Sequence, residues 1–147
     1  LKSQPYLVCE KTDGLRYMML SFMFENKKIT VCLNRALEMF VCPLNFRKHV
    51  YDGTILEGEL YEGDTFMIYD ALMTCGACIG HHDFIDRLKH IEEVKKLLTV
   101  LKYDPIKIII KTFHLLTDFK NFMDNYLPTV TQKIDGLVFT PIKDGVK

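Results

Sequence analysis

Two β-rich runs, Tyr17–Phe24 and Ile29–Asn34, stand four residues apart, and this pairing restricts the fold more than any other feature. The connection between them includes Asn26, which favours a tight turn, so the two runs are predicted to form a β-hairpin. Thr54–Leu60 and Thr65–Leu72 repeat the pattern around a second polar turn. The first half of the chain is therefore predicted to fold as a largely antiparallel sheet.

The hydrophobic spacing changes to a helical period after Asp83, which can cap a helix. The apolar positions that share this period are Phe84, Leu88, Ile91, Val94, Leu98 and Leu101, and Asp104-Pro105 is predicted to end the helix. Further strands are predicted at Tyr6–Glu10, Ile106–Phe113 and Gly136–Pro141, and short helices at Arg35–Phe40 and around Phe119–Tyr126. Hairpins outnumber βαβ units, so the predicted fold class is α+β, with largely antiparallel sheets and flanking helices.

The composition limits the classes of partner and compartment. The 147 residues suffice for one domain, and the 19 basic and 19 acidic side chains create no overall basic field, so any nucleic-acid contact must be local. Five cysteines argue against a disulfide framework and for a reducing, intracellular compartment. No apolar run has the length of a membrane span, and no signal peptide is visible, so no membrane partner is expected. The chain begins without Met and ends in a predicted loop, so we expect it to belong to a longer polypeptide.

Lys11 stands between two predicted strands in the segment Lys11-Thr12-Asp13-Gly14-Leu15-Arg16. A lysine amine becomes nucleophilic when it is neutral, which nearby cations or desolvation can bring about. Arg16 offers such a charge and can also bond the sugar or phosphate of a nucleotide. Taken alone, however, the segment is equally typical of a charged turn.

Two further sites place acids beside glycines at predicted strands. Glu57 and Glu59 flank Gly58, and alternation puts both carboxylates on one face, where a cation would relieve their repulsion. Asp135 precedes Gly136 at the start of the last strand. The three acid–glycine sites together predict one cleft built from strand ends, where glycine allows a ligand to approach closely.

These segments, in this order, carry a family resemblance. Residues 11–16 resemble motif I (K-x-D-G-x-R) of the covalent nucleotidyltransferases, which include mRNA capping guanylyltransferases and ATP-dependent polynucleotide ligases. Residues 57–59 resemble motif III, 66–72 motif IIIa, and 135–141 motif IV. The last segment, D-G-L-V-F-T-P, is similar to that of capping enzymes, whereas ligases usually carry E-G there. The resemblance implies a nucleotidyltransferase domain over residues 1–147 with the ATP-grasp-like fold of this superfamily, and the compact motif spacing resembles that of capping enzymes from large DNA viruses.

The resemblance also implies roles for individual residues. Lys11 would attack GTP and hold GMP as a covalent intermediate, and a 5′-diphosphate RNA end would then accept the GMP. Glu59 and Asp135 would bind Mg²⁺ or Mn²⁺, which prefer oxygen ligands. Arg16 would contact the ribose, and Tyr69 would stack on the base. The nucleotide site would also include Thr12, Asp13 and Gly14, with Lys133 as the reader of guanine and Thr131 as its companion.

Two departures limit what the resemblance implies. Glu57 stands where the family more often has Asp, which keeps the charge. The lysine-containing motif V and the OB-fold domain would lie beyond residue 147, and a triphosphatase or methyltransferase domain is expected elsewhere in the same polypeptide. The protein is expected in the nucleus, or in the cytoplasm or virion if it is viral.

The alternative functions are the adenylylation domain of an ATP-dependent RNA or DNA ligase, and an inactive nucleotide- or RNA-binding module.

Cys75, Cys78, His81 and His82 have the ligand types of a zinc site. Structural zinc sites usually join two separate segments, whereas these residues fall within eight positions. A flexible loop is therefore the preferred interpretation.

Overall fold

The computed structural model describes residues 5–102 and 104–146, so residues 1–4 and 147 of the predicted domain lie outside the described part. Its strands are β1 (Tyr6–Thr12), β2 (Leu15–Phe24), β3 (Lys27–Leu33), β4 (Met39–Val41), β5 (Asn45–Phe46), β6 (Thr54–Tyr61), β7 (Thr65–Thr74), β8 (Ala77–Cys78), β9 (Leu98–Thr99), β10 (Lys107–Ile110), β11 (His114–Leu115) and β12 (Ile134–Pro141). One long helix, α1, spans Phe84–Lys96, and short helical turns occupy Lys48–Asp52 and residues 116–129. The fold is mostly antiparallel sheet with few helices, as the sequence predicted.

The larger sheet follows the order β10-β7-β6-β2-β3-β4, with β8 beside β7. Its neighbours are antiparallel except for β10 and β7, which run parallel. The buried side chains beneath it include Met19, Leu56, Phe66 and Ile68, and α1 contributes Ile91 to the same cluster. Helix α1 therefore covers one face of this sheet.

Of the two sheets with three or more strands, the smaller follows the order β11-β1-β12, so β1 is its central strand; β5 and β9 form a separate two-stranded sheet. Phe84 at the start of α1 packs with Leu7 of β1 and with Ile142 just after β12. The backbone N–H of Phe84 also donates to the Ile142 carbonyl at 2.6 Å. The first turn of α1 therefore joins the two sheets, and the predicted cap is present, because the Asp83 side chain accepts from the backbone N–H of Asp86.

The predicted helix at Arg35–Phe40 is wrong. The Asn34 side chain accepts a hydrogen bond from the Glu38 backbone N–H, and Leu37 has a φ of +62°, so the chain forms a turn. Residues 39–41 then pair with β3 as an edge strand. Local apolar spacing suggested a helix, but the unpaired edge of β3 selects the extended form.

Other boundaries also differ from the predictions. Helix α1 ends at Lys96 rather than continuing to Asp104-Pro105, because residues 98 and 99 pair with β5. The predicted strand Ile106–Phe113 is regular only at Lys107–Ile110. The predicted helix around residues 119–126 is a series of short helical turns of different types. Within residues 5–102 and 104–146, none of the helices has both the length and the apolar character that a membrane span requires.

Candidate active site

Lys11 lies near the end of β1, opposite an irregularity in the smaller sheet. Glu10 pairs with Leu137 and Thr12 pairs with Ile134, so the single residue Lys11 faces two residues of β12. Those two residues are Asp135 and Gly136, and Gly136 has a φ of +125°, which few other residues adopt. The bulge brings the Asp135 carboxylate to 3.9 Å from the Lys11 ammonium.

A cleft of about 560 Å³ opens beside Lys11. Four of the predicted site residues line it, namely Lys11, Arg16, Glu59 and Tyr69, and Glu57 lines it as well. Other parts of its wall come from Cys9, Asp70, Phe84, Arg87, Lys111, Phe113, Val138, Thr140, Pro141, Asp144, Gly145 and Val146. Both sheets, α1 and the segment after β12 therefore contribute to one cleft.

Gly58 lies between the two glutamates of β6, at a position where the packing leaves no space for a side chain. A Cβ on Gly58 would lie 2.5 Å from the Met67 carbonyl oxygen and 2.6 Å from the Phe66 ring, so only glycine fits between the acids. Glu57 and Glu59 both line the cleft, in agreement with the alternation of the strand. Burial, and then the neighbouring Asp70, raise the pKa of Glu57, although Arg16 opposes this shift. A cationic ligand beside Glu57 and Asp70 would oppose this shift, because it would stabilise the charged carboxylate.

Arg16 and Tyr69 form the wall beside these acids. The Arg16 Nε donates to the Tyr69 hydroxyl at 3.1 Å, and the guanidinium carbon lies 5.7 Å from the centre of the Tyr69 ring. Burial raises the pKa of Tyr69, whereas Arg16 acts in the opposite direction. A planar aromatic face next to a fixed cation is suited to a base and its sugar or phosphate.

Several of the predicted site residues, among them Asp13, Thr131 and Lys133, do not line the cleft. Asp13 binds Lys133 through an ion pair of 3.5 Å, and its backbone N–H donates to the Lys133 carbonyl at 2.9 Å. Thr131 is exposed, and neither it nor Lys133 lines the cleft. Gly14 packs against Glu59 and Tyr61, so its role in this structure is to let two segments meet.

Thr12 is buried, and its hydroxyl is engaged by protein groups. It donates to Glu59 Oε2 at 3.1 Å, contacts the Tyr61 hydroxyl, and accepts from the Lys111 ammonium at 2.9 Å. Tyr61 also donates to Glu59 Oε2 at 3.0 Å. We therefore expect Thr12 to support the site from behind, although the sequence had suggested a contact with the nucleotide.

Sequence reasoning missed Arg87 and Lys111. Arg87 donates to both carboxylate oxygens of Asp70, at 2.8 and 3.3 Å, and to the carbonyls of His82 and Asp144. The signal was present in each case, because Arg87 stands within the apolar period of α1 and Lys111 interrupts the apolar run 106–113. A charged residue in such a position has to find partners in the interior.

The carboxylate oxygens near Lys11 are suited to the predicted Mg²⁺ or Mn²⁺ site. Both hydrogen bonds that Glu59 accepts among the described residues fall on Oε2, so Oε1 is the oxygen left for a cation. Glu57 in the same cleft and Asp135 beside Lys11 add carboxylate oxygens, which are the ligands that Mg²⁺ and Mn²⁺ prefer.

The four zinc-type residues do not converge. Cys75 and Cys78 are free thiols, and His82 approaches Asp86 and His90 instead, with ligand atoms within 4.8 Å of one another. Among the described residues this is the grouping that could hold a metal, and it lies outside the cleft wall.

Comparison with known proteins gives the family. The model of the mRNA capping enzyme catalytic domain matches residues 1–147. The chain belongs to this family. The expected family resemblance is therefore confirmed.

Capping enzymes from several eukaryotes resemble the chain at low identity. It is 28% identical to an mRNA-capping enzyme of Mus musculus, over 97% of this chain and 27% of that protein. It is 24% identical to an mRNA-capping enzyme subunit alpha of Neurospora crassa, over 95% of this chain and 42% of that protein. An mRNA-capping enzyme of Danio rerio is 27% identical over 97% of this chain and 27% of its own length. The chain thus spans less than half of each of these relatives.

Proposed function

We propose that the chain is the nucleotidyltransferase domain of an mRNA guanylyltransferase, with Lys11 as the nucleophile. The observation that supports this most is the convergence of Lys11, Arg16, Glu59 and Tyr69 on one cleft, from strands of two different sheets. The family match over residues 1–147 supports the same reaction class.

Cys9, a second potential nucleophile, lines the same cleft. Burial raises the pKa of the Cys9 thiol to about 12, so at neutral pH it stays protonated and is a poor nucleophile. Lys11 is more than half exposed, which leaves its amine accessible to a bound nucleotide. The cleft therefore favours an amine over a thiol as the attacking group.

The first step joins Lys11 to the nucleotide. The neutral Nζ attacks the α-phosphorus of GTP, a P–N bond forms, and the P–O bond to pyrophosphate breaks. The amine loses a proton, and pyrophosphate leaves. Asp135 does not line the cleft, but its carboxylate lies 3.9 Å from this nitrogen and limits the positions that the amine takes.

The second step transfers GMP to RNA. An oxygen of the 5′-diphosphate RNA end attacks the same phosphorus, the P–N bond breaks, and Lys11 recovers its proton. Glu59 and Asp135 would hold Mg²⁺ or Mn²⁺, with Glu57 lining the same cleft as Glu59, and the metal would supply positive charge against the phosphates when bound. Arg16 holds the sugar side of the nucleotide, and Tyr69 covers the base.

We assign guanine recognition to Lys133, with Thr131 beside it. Guanine carries an acceptor at O6 that adenine lacks, and a lysine ammonium donates to it. Lys133 binds Asp13 at 3.5 Å, outside the cleft wall, so it has to exchange this partner for the base when GTP enters. Motif V, an OB-fold domain, and triphosphatase or methyltransferase domains elsewhere in the polypeptide complete the proposed capping protein, which works in the nucleus, or in the cytoplasm or virion if it is viral.

The test is covalent labelling of the full-length protein with GTP or ATP radiolabelled at the α-phosphate, with Mg²⁺ or Mn²⁺ present. We expect acid-labile label from GTP on the wild type and none on Lys11→Met. The matched control is Lys96→Met, an exposed helix lysine outside the cleft, which should label as the wild type does.

Three other results would decide against the proposal. Label from ATP alone would indicate a polynucleotide ligase, the second candidate. Binding of nucleotide without any covalent label would indicate an inactive nucleotide-binding module. Label on Lys11→Met equal to that on the wild type would assign the nucleophile elsewhere.

A further inference from the structure

Three side chains that can bind a metal lie close together at the start of α1. They are His82, Asp86 and His90, and their ligand atoms all lie within 4.8 Å of one another. Each follows the previous one by four residues, about one helical turn, so the helical path stacks them on one face. All three are half-buried, and none of the three lines the cleft. The group is therefore separate from the proposed catalytic site.

The first two ligand atoms are already about as far apart as a shared metal ion requires. His82 Nδ1 lies 3.0 Å from Asp86 Oδ2. Zinc binds nitrogen and oxygen at about 2.0–2.2 Å in a tetrahedron, which places neighbouring ligand atoms about 3.3 Å apart. The His90 ring lies beside the His82 ring, with 5.6 Å between their centres. A shift of about 1.5 Å, which rotation of a half-buried side chain can supply, brings His90 into the same tetrahedral arrangement.

A simple ion pair accounts for two of these three residues. His82 pairs with Asp86 if its imidazole is protonated, but His90 is then a second imidazole beside the first, and two protonated rings repel each other. A divalent cation removes this conflict, because two neutral imidazoles and one carboxylate bind it together. The three residues therefore fit a metal site better than a charge pair.

The donor atoms select the class of metal. Two imidazole nitrogens and one carboxylate oxygen suit Zn²⁺, Co²⁺ or Ni²⁺, whereas Mg²⁺ and Ca²⁺ prefer oxygen alone. Histidine and acid ligands one helical turn apart are a known way for a helix to hold zinc. Three protein ligands leave a further position for water. The expected ligand is thus an ion of the Zn²⁺ class, distinct from the Mg²⁺ or Mn²⁺ of the proposed reaction.

We propose that His82, Asp86 and His90 bind one Zn²⁺-class ion, and that this ion clamps the start of α1. His82 precedes the helix, whereas Asp86 lies in its first turn, so one ion ties the connecting segment to the helix. The His82 carbonyl also accepts from Arg87 at 2.6 Å, and Arg87 binds Asp70 in the cleft wall. The clamp therefore holds a segment that supports the cleft, and it does not depend on the proposed function.

The experiment measures binding of Zn²⁺ by calorimetry and of Co²⁺ by visible absorption, with the full-length protein. Excess Mg²⁺ occupies sites made of oxygen alone, and a slightly alkaline buffer keeps histidines neutral. The wild type is compared with His82→Gln, Asp86→Asn and His90→Gln. The matched control is His49→Gln, because His49 lies 3.6 Å from Asp52 in an exposed pair that belongs to no three-ligand group among the described residues.

We expect the wild type to bind one equivalent of Zn²⁺ that each of the three variants binds at least about 100-fold more weakly, since loss of an outer partner of a metal ligand already costs 10- to 100-fold. His49→Gln should bind this equivalent as the wild type does. Zn²⁺ should raise the Tm of the wild type and leave that of His90→Gln unchanged. Three separate variants keep the test valid if Asp86→Asn, which lies in the first turn of α1, does not fold.

Hydrogen exchange tests the clamp itself. Bound Zn²⁺ should slow amide exchange in the first two turns of α1 in the wild type and have no such effect in His90→Gln. Unchanged exchange in these turns when Zn²⁺ is bound would reject the clamp.

Three results would overturn the metal site. The first is an unchanged Zn²⁺ affinity in folded His90→Gln, and the second is the absence of this equivalent from the wild type. The third is a thiolate-to-cobalt charge-transfer band that disappears in Cys75→Ser or Cys78→Ser, because the ion would then be held by the cysteine–histidine segment. None of these measurements depends on covalent labelling, so failure of the proposed function would leave them unaffected.

Discussion

Arg87 lines the cleft and also makes contacts that stabilise the fold. Its side chain is 3% exposed, and its guanidinium bonds Asp70 with two hydrogen bonds. It also bonds two backbone carbonyls, one of them after β12. Arg87 therefore ties α1, β7 and the last part of the chain together beside the cleft.

Replacement of Arg87 by Met should destabilise the fold. The change leaves the largely buried Asp70 carboxylate without its charged partner, and breaking a buried pair costs about 3–5 kcal/mol. Chemical denaturation measures the loss. Lys96→Met, which breaks an exposed pair with Glu93, is the control and should leave the midpoint of unfolding unchanged. Equal midpoints for the two variants would contradict the role assigned to Arg87.

Glu57 should reduce stability as the pH rises. Burial and the nearby Asp70 raise its pKa above the usual value, so the folded state binds the proton more tightly than the unfolded state. Its contribution to stability is therefore full below the ordinary pKa of a glutamate and is lost as the pH rises through the raised value.

Glu57→Gln should accordingly raise the Tm at neutral pH and flatten the dependence of Tm on pH in the range just above the ordinary pKa. Thermal unfolding at a series of pH values measures both effects. A lower Tm for Glu57→Gln at neutral pH would show that Arg16 and Arg87 stabilise the carboxylate more than burial and Asp70 destabilise it.

At the scale of residues, the sequence predicted a candidate nucleophile, Lys11, and a candidate metal ligand, Glu59, because both stand in short segments with a distinctive order. The structure places both side chains in the wall of one cleft. Lys111 and Arg87 could not be placed, because their partners Thr12 and Asp70 are distant in sequence. Their pairing depends on how β10 and α1 are positioned.

At the scale of elements, the bulge of β12 opposite Lys11 is the decisive local feature. Gly136 has a φ of +125° and open space around the position of a Cβ, so a side chain there is opposed by backbone strain alone. The glycine lets Asp135 turn toward Lys11. The motif thus needs glycine for a conformational reason.

Gly136→Ala should cost about 1–3 kcal/mol of stability through this strain. It should also slow covalent labelling, because the Asp135 carboxylate moves relative to the Lys11 amine. Denaturation and labelling rates measure the two effects. Gly80→Ala is the control, since a Cβ there meets its nearest neighbours at 3.5 Å and the backbone is unstrained. If Gly136→Ala is labelled at the wild-type rate, the conformation of the bulge does not affect covalent labelling.

Elements with strong local signals were predicted well. The β2–β3 and β6–β7 hairpins and the Asp83 cap are present, because turns and caps are determined by neighbouring residues. The edge strand β4 and the early end of α1 were missed, because each depends on pairing with a distant strand. Tertiary pairing overrides local apolar spacing in both cases.

At the scale of the molecule, the cleft lies where the two sheets meet, so a ligand that fills it should link them. We expect GTP with Mn²⁺ to raise the Tm. At a concentration 100 times its Kd, a ligand adds about 2.7 kcal/mol to the free energy of unfolding. Thermal unfolding of Lys11→Met measures binding without covalent attachment. ATP should raise the Tm less than GTP does, and an equal shift would contradict guanine recognition by Lys133.

The fold class followed from counting hairpins and helical periods, but the assembly of two sheets did not. Nothing local in Tyr6–Thr12 shows that this strand pairs with residues 114–115 and 134–141. The sequence motifs implied that Lys11 and Asp135 meet. The physical cause, a shared sheet with a bulge between them, became visible only in the structure.

The central position of β1 has a consequence for synthesis of the protein. The strand that carries Lys11 leaves the ribosome before most of the domain, and both of its partners in the smaller sheet come from beyond residue 113. A nascent chain therefore carries the lysine long before the acid beside it and the strand that faces it have been made. Incomplete translation products should be unable to consume GTP, because the proposed nucleophile meets the other residues of its site only when translation of the domain is almost complete.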